Sequence, residues 1–331
     1  MNQRYFHVRS LIAVVLLTIA FESAQASNGD APLSLGGVAW AKATYALSDE
    51  SMRIPDLDLY RLQLWGTSEL GAHWKGHFRL HASTAPGVLS SYHRPGSIFV
   101  YQAYLERAAI FTSGDKLTLG MATNAFLRKL YRLHGTRFIA RVLSQRLGYV
   151  SPTPLGIRYE YSSDTLVAAV TAEQTAIRPE SPSSHLIGLA TSVHWTLGPD
   201  WTLSSHYTYR HKKTAAEALP SEQVFATSLT YQNPDLVVSA ETAGRLRDSS
   251  ESELELGGGV LAHLRLYQDL HVFGQIMSGN SGFQESLGSS LTWRVGPLLK
   301  LKDALKVALI FDAEHGEDEK FVISLAAAKV F

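Results

Sequence analysis

Between Asp115 and Glu160 the chain carries no acidic residue. It carries Lys116, Arg128, Lys129, Arg132, Arg137, Arg141, Arg146 and Arg158, with His134 among them. Bases grouped without counterions attract anions. Where such side chains ring a narrow passage they select anions, because low-dielectric walls focus the field. Other chemistry has less to stand on. His73, His77 and His81 recur at every fourth position, which on a strand separates neighbours by about 13 Å, too far for one metal ion. There is no G-x-S-x-G, no H-E-x-x-H and no Gly-rich phosphate loop. Cys is absent, so thiol nucleophiles, thiolate metal sites and disulfides are excluded. The sequence therefore calls for no catalytic residue, no metal, no cofactor and no nucleic-acid partner.

The elements that position these bases are read from periodicity. Residues 1–26 have the form of a cleaved signal peptide: Arg4 and Arg9, an apolar run from Leu11 to Phe21, then Ala24-Gln25-Ala26. Residues 27–331 alternate with period 2, which means strands. The segment from His73 to Ser83 is the most informative. Trp74, Gly76, Phe78, Leu80 and Ala82 share one face, and His73, Lys75, His77, Arg79, His81 and Ser83 share the other. An apolar face opposed to a wholly basic one fits a wall with lipid outside and water inside.

Strands are expected at Leu35–Leu47, Asp56–Thr67, His73–Ser83, Ile98–Arg107, Lys116–Met121 and Gly156–Tyr161. They continue at Thr165–Gln174, His185–Leu197, Trp201–His211, Gln223–Gln232 and Leu236–Arg245. The last are Glu253–Leu266, Leu270–Met277, Gln284–Val295, Lys306–Glu314 and Lys320–Phe331. Tight turns such as Gly198-Pro199-Asp200 and Asn233-Pro234-Asp235 alternate with longer polar connections. The fold expected is all-β, a single-domain transmembrane antiparallel barrel of about 16 strands with short turns at the periplasmic end. Trp65, Trp74, Trp195, Trp201 and Trp293 are expected to form one interfacial girdle at that end, although strict alternation puts Trp65 on the side of Arg61 and Gln63 unless a bulge intervenes.

The C-terminus adds a resemblance. Phe321, Ile323, Leu325 and Ala327 alternate before a final Phe331, similar to the assembly signal of bacterial outer-membrane barrels. Lys329 departs from the apolar residue usual two places before the end. The whole mature chain resembles the trimeric porin superfamily of Gram-negative outer membranes. Gln102-Ala103-Tyr104-Leu105-Glu106, Lys116 to Met121 and Pro154-Leu155-Gly156-Ile157 are similar to its phosphate-selective and substrate-specific members. The resemblance implies a homotrimer in contact with lipopolysaccharide, assembled by machinery that reads Phe331. It also implies a long third loop folded into the lumen.

Residues Asn124 to Leu133 and Thr136 to Leu147 have helical spacing. In the second, Phe138, Ile139, Val142, Leu143 and Leu147 lie on one side and Arg137, Arg141 and Gln145 on another. An inward loop would pack its apolar side on the wall. Its bases Arg128, Lys129, Arg132, Arg137, Arg141 and Arg146 would form an anion-selecting constriction, with Lys75, His77, Arg79, Lys116 and Arg158 on the pore wall. The alternative is an external loop meeting lipopolysaccharide phosphates. The function expected is passive diffusion of small hydrophilic solutes, anions preferred, phosphate included, with no enzymatic step. The alternative is a plugged structural or adhesive surface barrel. Small outward residues Ala39, Ala41, Ala43 and Ala327 mark the seam as the subunit contact.

Overall fold

A computed structural model describes residues 33–46, 56–70, 73–82, 98–135, 141–176, 185–213, 221–247, 253–279, 290–301, 305–315 and 320–330. The signal segment, Arg137 and Phe331 lie outside the described residues. The strands are β1 (Leu33–Ala46), β2 (Asp56–Glu69), β3 (Trp74–Ala82), β4 (Ile98–Ala108), β5 (Asp115–Met121), β6 (Leu155–Ser162), β7 (Leu166–Ala176) and β8 (His185–Thr196). They continue as β9 (Trp201–Lys213), β10 (Glu222–Gln232), β11 (Leu236–Arg247), β12 (Glu253–Arg265), β13 (Leu270–Gly279), β14 (Ser290–Lys300), β15 (Leu305–His315) and β16 (Lys320–Val330). Helices α1 (Ala125–His134) and α2 (Leu143–Arg146) lie between β5 and β6.

Each strand pairs antiparallel with the next, and β1 pairs with β16 from Val38↔Val330 to Ala46↔Val322, closing a barrel of sixteen strands. Closure leaves no edge strand. The alternation read in the sequence is the alternation seen. On β8 to β10, Ile187, Leu189, Val193, Trp195, Trp201, Tyr207, Tyr209, Phe225 and Leu229 are exposed, and every second residue from Ala190 to His194, from Thr202 to Arg210 and from Val224 to Thr230 is buried. So wide a belt of exposed apolar side chains is what a bilayer covers. At Asn233 the side chain accepts the N–H groups of Asp235 (2.9 Å) and Leu236 (2.8 Å), as Asn in a tight turn does.

Four expectations are corrected. The Gly296-Pro297 pair reads as the start of a turn, yet β14 runs on to Lys300. The register with β15 holds on both sides, Val295↔Phe311 and Leu298↔Ala308, and only the two residues between lack a ladder partner. Trp293 therefore sits in the half of β14 nearer Ser290, away from the short-turn end. Trp65 faces the lumen, with the Arg79 guanidinium over its ring at 5.4 Å. In β4 the register shifts between Arg79↔Gln102 and Leu80↔Val100. Strict alternation along this strand puts Phe99 and Tyr101 outward with Ala103 and Leu105, but the bulge at Tyr101 flips the phase, so Val100 is exposed and Tyr101 meets His81 edge-on at 5.2 Å. Of the second helix expected from Thr136 to Leu147, residues 136–140, with Phe138 and Ile139, lie outside the described residues; among the described ones only α2 is helical, and Val142 before it is extended (ψ 151°).

Candidate functional site

The connection from Ala122 to Pro154 has a sequence that builds a helix and then anchors it. Asn124 caps α1: its Oδ1 accepts the N–H groups of Phe126 (2.9 Å) and Leu127 (3.4 Å). Its own N–H reaches the Pro152 carbonyl at 2.9 Å, tying the two legs of the loop together. Gly135 ends the helix in the left-handed region (φ 63°), its N–H on the Tyr131 carbonyl, a conformation glycine adopts without steric cost. Arg132 and His134 occupy the last turn, where positive charge complements the helix dipole.

Phe126, Leu127 and Leu130 on α1 are fully buried. With Val142, Leu143, Leu147, Tyr149 and Val150 they form one cluster that includes Val224 and Ala226 of β10, Ala243 of β11 and Met277 of β13. The Phe126 ring stacks on His206 of β9 at 5.5 Å and on His194 of β8 at 6.1 Å. All these wall residues hold the inward phase of their strands. The connection thus lies against the inner wall, covering it from β8 to β13.

Wall side chains also grip the loop backbone. Glu241 of β11 accepts the N–H of Leu143 (2.8 Å) and of Ser144 (2.9 Å), satisfying two donors that open α2. Arg210 of β9 donates to the Tyr149 carbonyl at 3.1 Å, Gln275 of β13 to the Arg141 carbonyl at 2.7 Å, and Arg158 of β6 to the Thr123 carbonyl at 2.6 Å. From the loop side, Arg146 donates to Thr292 of β14 at 2.9 Å. A cavity of about 10 Å³, lined by His134, Ser239, Glu241 and Gln275 among others, has room for one water. Nε2 of His134 and Oε1 of Gln275, both buried, have no protein partner and would serve that water. Burial lowers the His134 imidazole to about 4, so it is neutral near pH 7.

The bases singled out in the sequence fall into three groups. Some are neutralised: Arg128 pairs with Glu160, Lys116 lies 3.4 Å from Glu106 and 3.2 Å from Glu160, and Lys75 pairs with Glu69 at 2.8 Å. Arg158 is buried beneath the start of the loop, 3.9 Å from Glu160. Arg146 is half-buried against the wall, where it donates to Thr292, and Lys129, Arg132 and Arg141 retain exposure. Burial and the nearby Arg294 lower the Arg146 guanidinium from its ordinary range. His77 stacks on Tyr104 at 4.5 Å and lies 3.1 Å from Thr67 Oγ1.

Several functional partners were missed by sequence reading. Glu173 and Glu222 flank Arg210 at 3.3 Å and 2.9 Å, and Asp312 pairs with Arg294. Each sits at an inward position of its strand, so phase alone was the available signal. Two Ser–His contacts also appear, Ser192 Oγ with His206 Nδ1 at 2.9 Å and Ser204 Oγ with His194 Nδ1 at 2.8 Å. All four side chains are buried below the Phe126 ring, out of reach of a substrate. The geometry of the loop and wall can narrow a passage and hold charge beside it.

No protein-family model matches the chain, and no curated protein matches it in sequence. Solved structures do match its fold. An anion-selective porin from Comamonas acidovorans is 14% identical with TM-score 0.66, covering 90% of this chain and 99% of that one. Salmonella typhi OmpF, in complex with daunomycin, is 10% identical with TM-score 0.66 over 90% of this chain and 97% of its own. The trimer form of OmpT, an outer membrane protein of Vibrio cholerae, is 10% identical with TM-score 0.60 over 90% and 99%. The fold is that of the outer-membrane porins.

Proposed function

We propose that this chain, with the fold of the outer-membrane porins, forms an aqueous channel across a Gram-negative outer membrane. Small hydrophilic solutes pass through it by diffusion, and the inward loop narrows the way and favours small anions, phosphate among them. The observation that carries this reading is the anchoring of residues 122–135 and 141–154 on the inner wall, with Lys129 and Arg132 unpaired by any carboxylate among the described residues. Export through a cleaved segment 1–26 and assembly through Phe331 belong to the same reading, as does contact with lipopolysaccharide. So does a homotrimer joined at the β1–β16 seam. In its support, Ala41 and Ala327 are cross-strand partners there, and small outward residues allow close approach within a bilayer.

The test is reversal potential across a planar bilayer under a potassium chloride gradient. Chloride preference is expected. Cys placed at Arg132 or Arg141 should react with small thiol reagents and lower conductance. A cation preference overturns the selectivity, and an absence of conductance overturns the channel. The second outcome would favour a filled barrel, a reading to which Phe273, Leu298, Ala308, Ile310 and Ala326 lend weight. They form a buried apolar cluster on the inward phase of β13 to β16.

A further inference from the structure

The cavity between the inward loop and the wall brings together three polar side chains from three elements. His134, the last residue of α1, lines it from the loop side. Glu241 of β11 and Gln275 of β13 line it from the wall. The three are 3%, 6% and 4% exposed, so each is more than nine-tenths buried. The space is about 10 Å³, enough for one water. Nε2 of His134 and Oε1 of Gln275 have no hydrogen-bond partner. Val142, Leu143, Leu261 and Met277 complete the lining with apolar surface.

The two wall side chains also hold the loop. Glu241 accepts the N–H groups of Leu143 (2.8 Å) and Ser144 (2.9 Å). Gln275 donates to the Arg141 carbonyl at 2.7 Å. The leg from Arg141 to Ser144 is therefore gripped by the same two residues that border the cavity with His134. Among the described residues that line the cavity, Glu241 is the one ionisable group besides His134. On α1 itself, Arg128 pairs with Glu160, and Lys129 and Arg132 retain exposure. His194 and His206 pack on Phe126, in the first turn of the helix.

A positive charge on His134 would upset this arrangement. A buried imidazolium requires an acceptor, and a charged one to offset its loss of water. Oε1 of Gln275 can accept a hydrogen bond but carries no charge. The Glu241 carboxylate carries the charge but is engaged by the two N–H groups that open α2. We infer that the His134 cavity is a proton-binding site that loosens the second leg of the inward loop in acid. Protonation draws Glu241 toward the imidazolium, and the opening donors of α2 lose their acceptor. The site deepens the channel reading and rests on it for the effect on conductance, whereas the motion of the leg does not depend on it.

Burial holds His134 to about 4 while the leg is seated, against about 6.5 for a hydrated imidazole. The loosened state therefore takes up the proton first, and it gains population as pH falls from about 6.5 to about 4. Between pH 7.5 and pH 4.5 the gain is about 70-fold. The chain has no Cys, so Ser144→Cys places a single thiol at a fully buried position of α2. The experiment follows its modification by a small neutral disulfide reagent, with the barrel in lipid vesicles, at both pH values. The same measurement in the His134→Gln background cancels the thiol's own ionisation. Acid should speed labelling tens of fold more with His134 than with His134→Gln, and His134→Asn should match His134→Gln. Chloride conductance of the wild-type barrel should change reversibly over the same range and stay level in His134→Gln. Labelling that is level or slower in acid overturns the site, as does an acid response equal in the two backgrounds. A His134-dependent labelling response without a change in conductance leaves the site standing and overturns the reading that the loop narrows the conducting path.

Discussion

The inner wall has two regions that the same strand alternation produces and that differ in how charge is handled. Beneath the loop, charge is matched. Arg210 lies between Glu173 and Glu222, Arg245 donates to Glu255 at 2.6 Å, and Glu241 receives two backbone N–H groups. Along the free side of the loop, Lys129 and Arg132 meet no carboxylate among the described residues, and Arg132 is exposed. The difference follows from water. A buried charge without a partner costs several kcal/mol, so the covered wall is obliged to pair. An exposed base retains hydration, needs no partner, and is left to act at a distance.

The sharpest way to break this comparison is to unpair the covered side. Arg210→Met removes the partner of Glu173 and one grip on the Tyr149 carbonyl. Stranding a buried charge costs about 3–5 kcal/mol, and that loss is expected in urea unfolding from lipid vesicles followed by Trp fluorescence. Arg132→Met, on the exposed side, should stay within about 0.5 kcal/mol of wild type. Equal effects for the two would mean that the loop does not exclude water from the wall.

The next largest effect is a response to acid. His134 is held to about 4 in the folded barrel by burial alone, against an ordinary value near 6.5. The unfolded chain therefore takes up the proton first as pH falls. The stability linked to a neutral His134 is complete above about 6.5, falls between about 6.5 and 4, and is level below. At 1.36 kcal/mol per unit of pKa, the loss is on the order of 3 kcal/mol. Glu241 and Gln275 line the same cavity, so protonation also disturbs the grip on α2. Stability at pH 7.5 minus that at pH 4.5 should shrink by most of this amount in His134→Gln. An unchanged difference would place the acid response elsewhere.

How much of this was legible in the sequence depended on which signal carried it. Strand number and phase came from period-2 alternation, which repeats along nearly every segment and survives an error at one end. The start of α1 was legible because Asn124 is a good cap and Gly135 a good stop. The length of α2 was not, because a carboxylate on β11, about a hundred positions away, decides where its backbone donors go. Pairing was the least legible layer. The acid-free run from Lys116 to Tyr159 reads as a reservoir of positive charge, yet Glu160 at its border and Glu106 on β4 take up Lys116 and Arg128 between them. Lys300 was hidden by the Gly296-Pro297 turn signal, which a strand with a continuous register overrode.

The smallest effect concerns the exposed side and reads its field directly. Arg132 stands in the last turn of α1, exposed, while the opposite face of the helix is buried in the wall. Reversing its sign with Arg132→Glu leaves packing untouched, so stability should change by under about 1 kcal/mol, as for exposed charges generally. Selectivity is a finer reporter. At 0.1 M salt the Debye length is about 10 Å, a distance comparable to a narrow passage, and at 1 M it is about 3 Å. The variant's reversal potential should therefore move toward potassium at 0.1 M and return most of the way to the wild-type value at 1 M. Arg128→Glu should behave differently: it opposes Glu160 with a second carboxylate, and should lower stability more than it shifts selectivity. If Arg132→Glu leaves the potential unchanged at low salt, the free side of the loop does not border the conducting path.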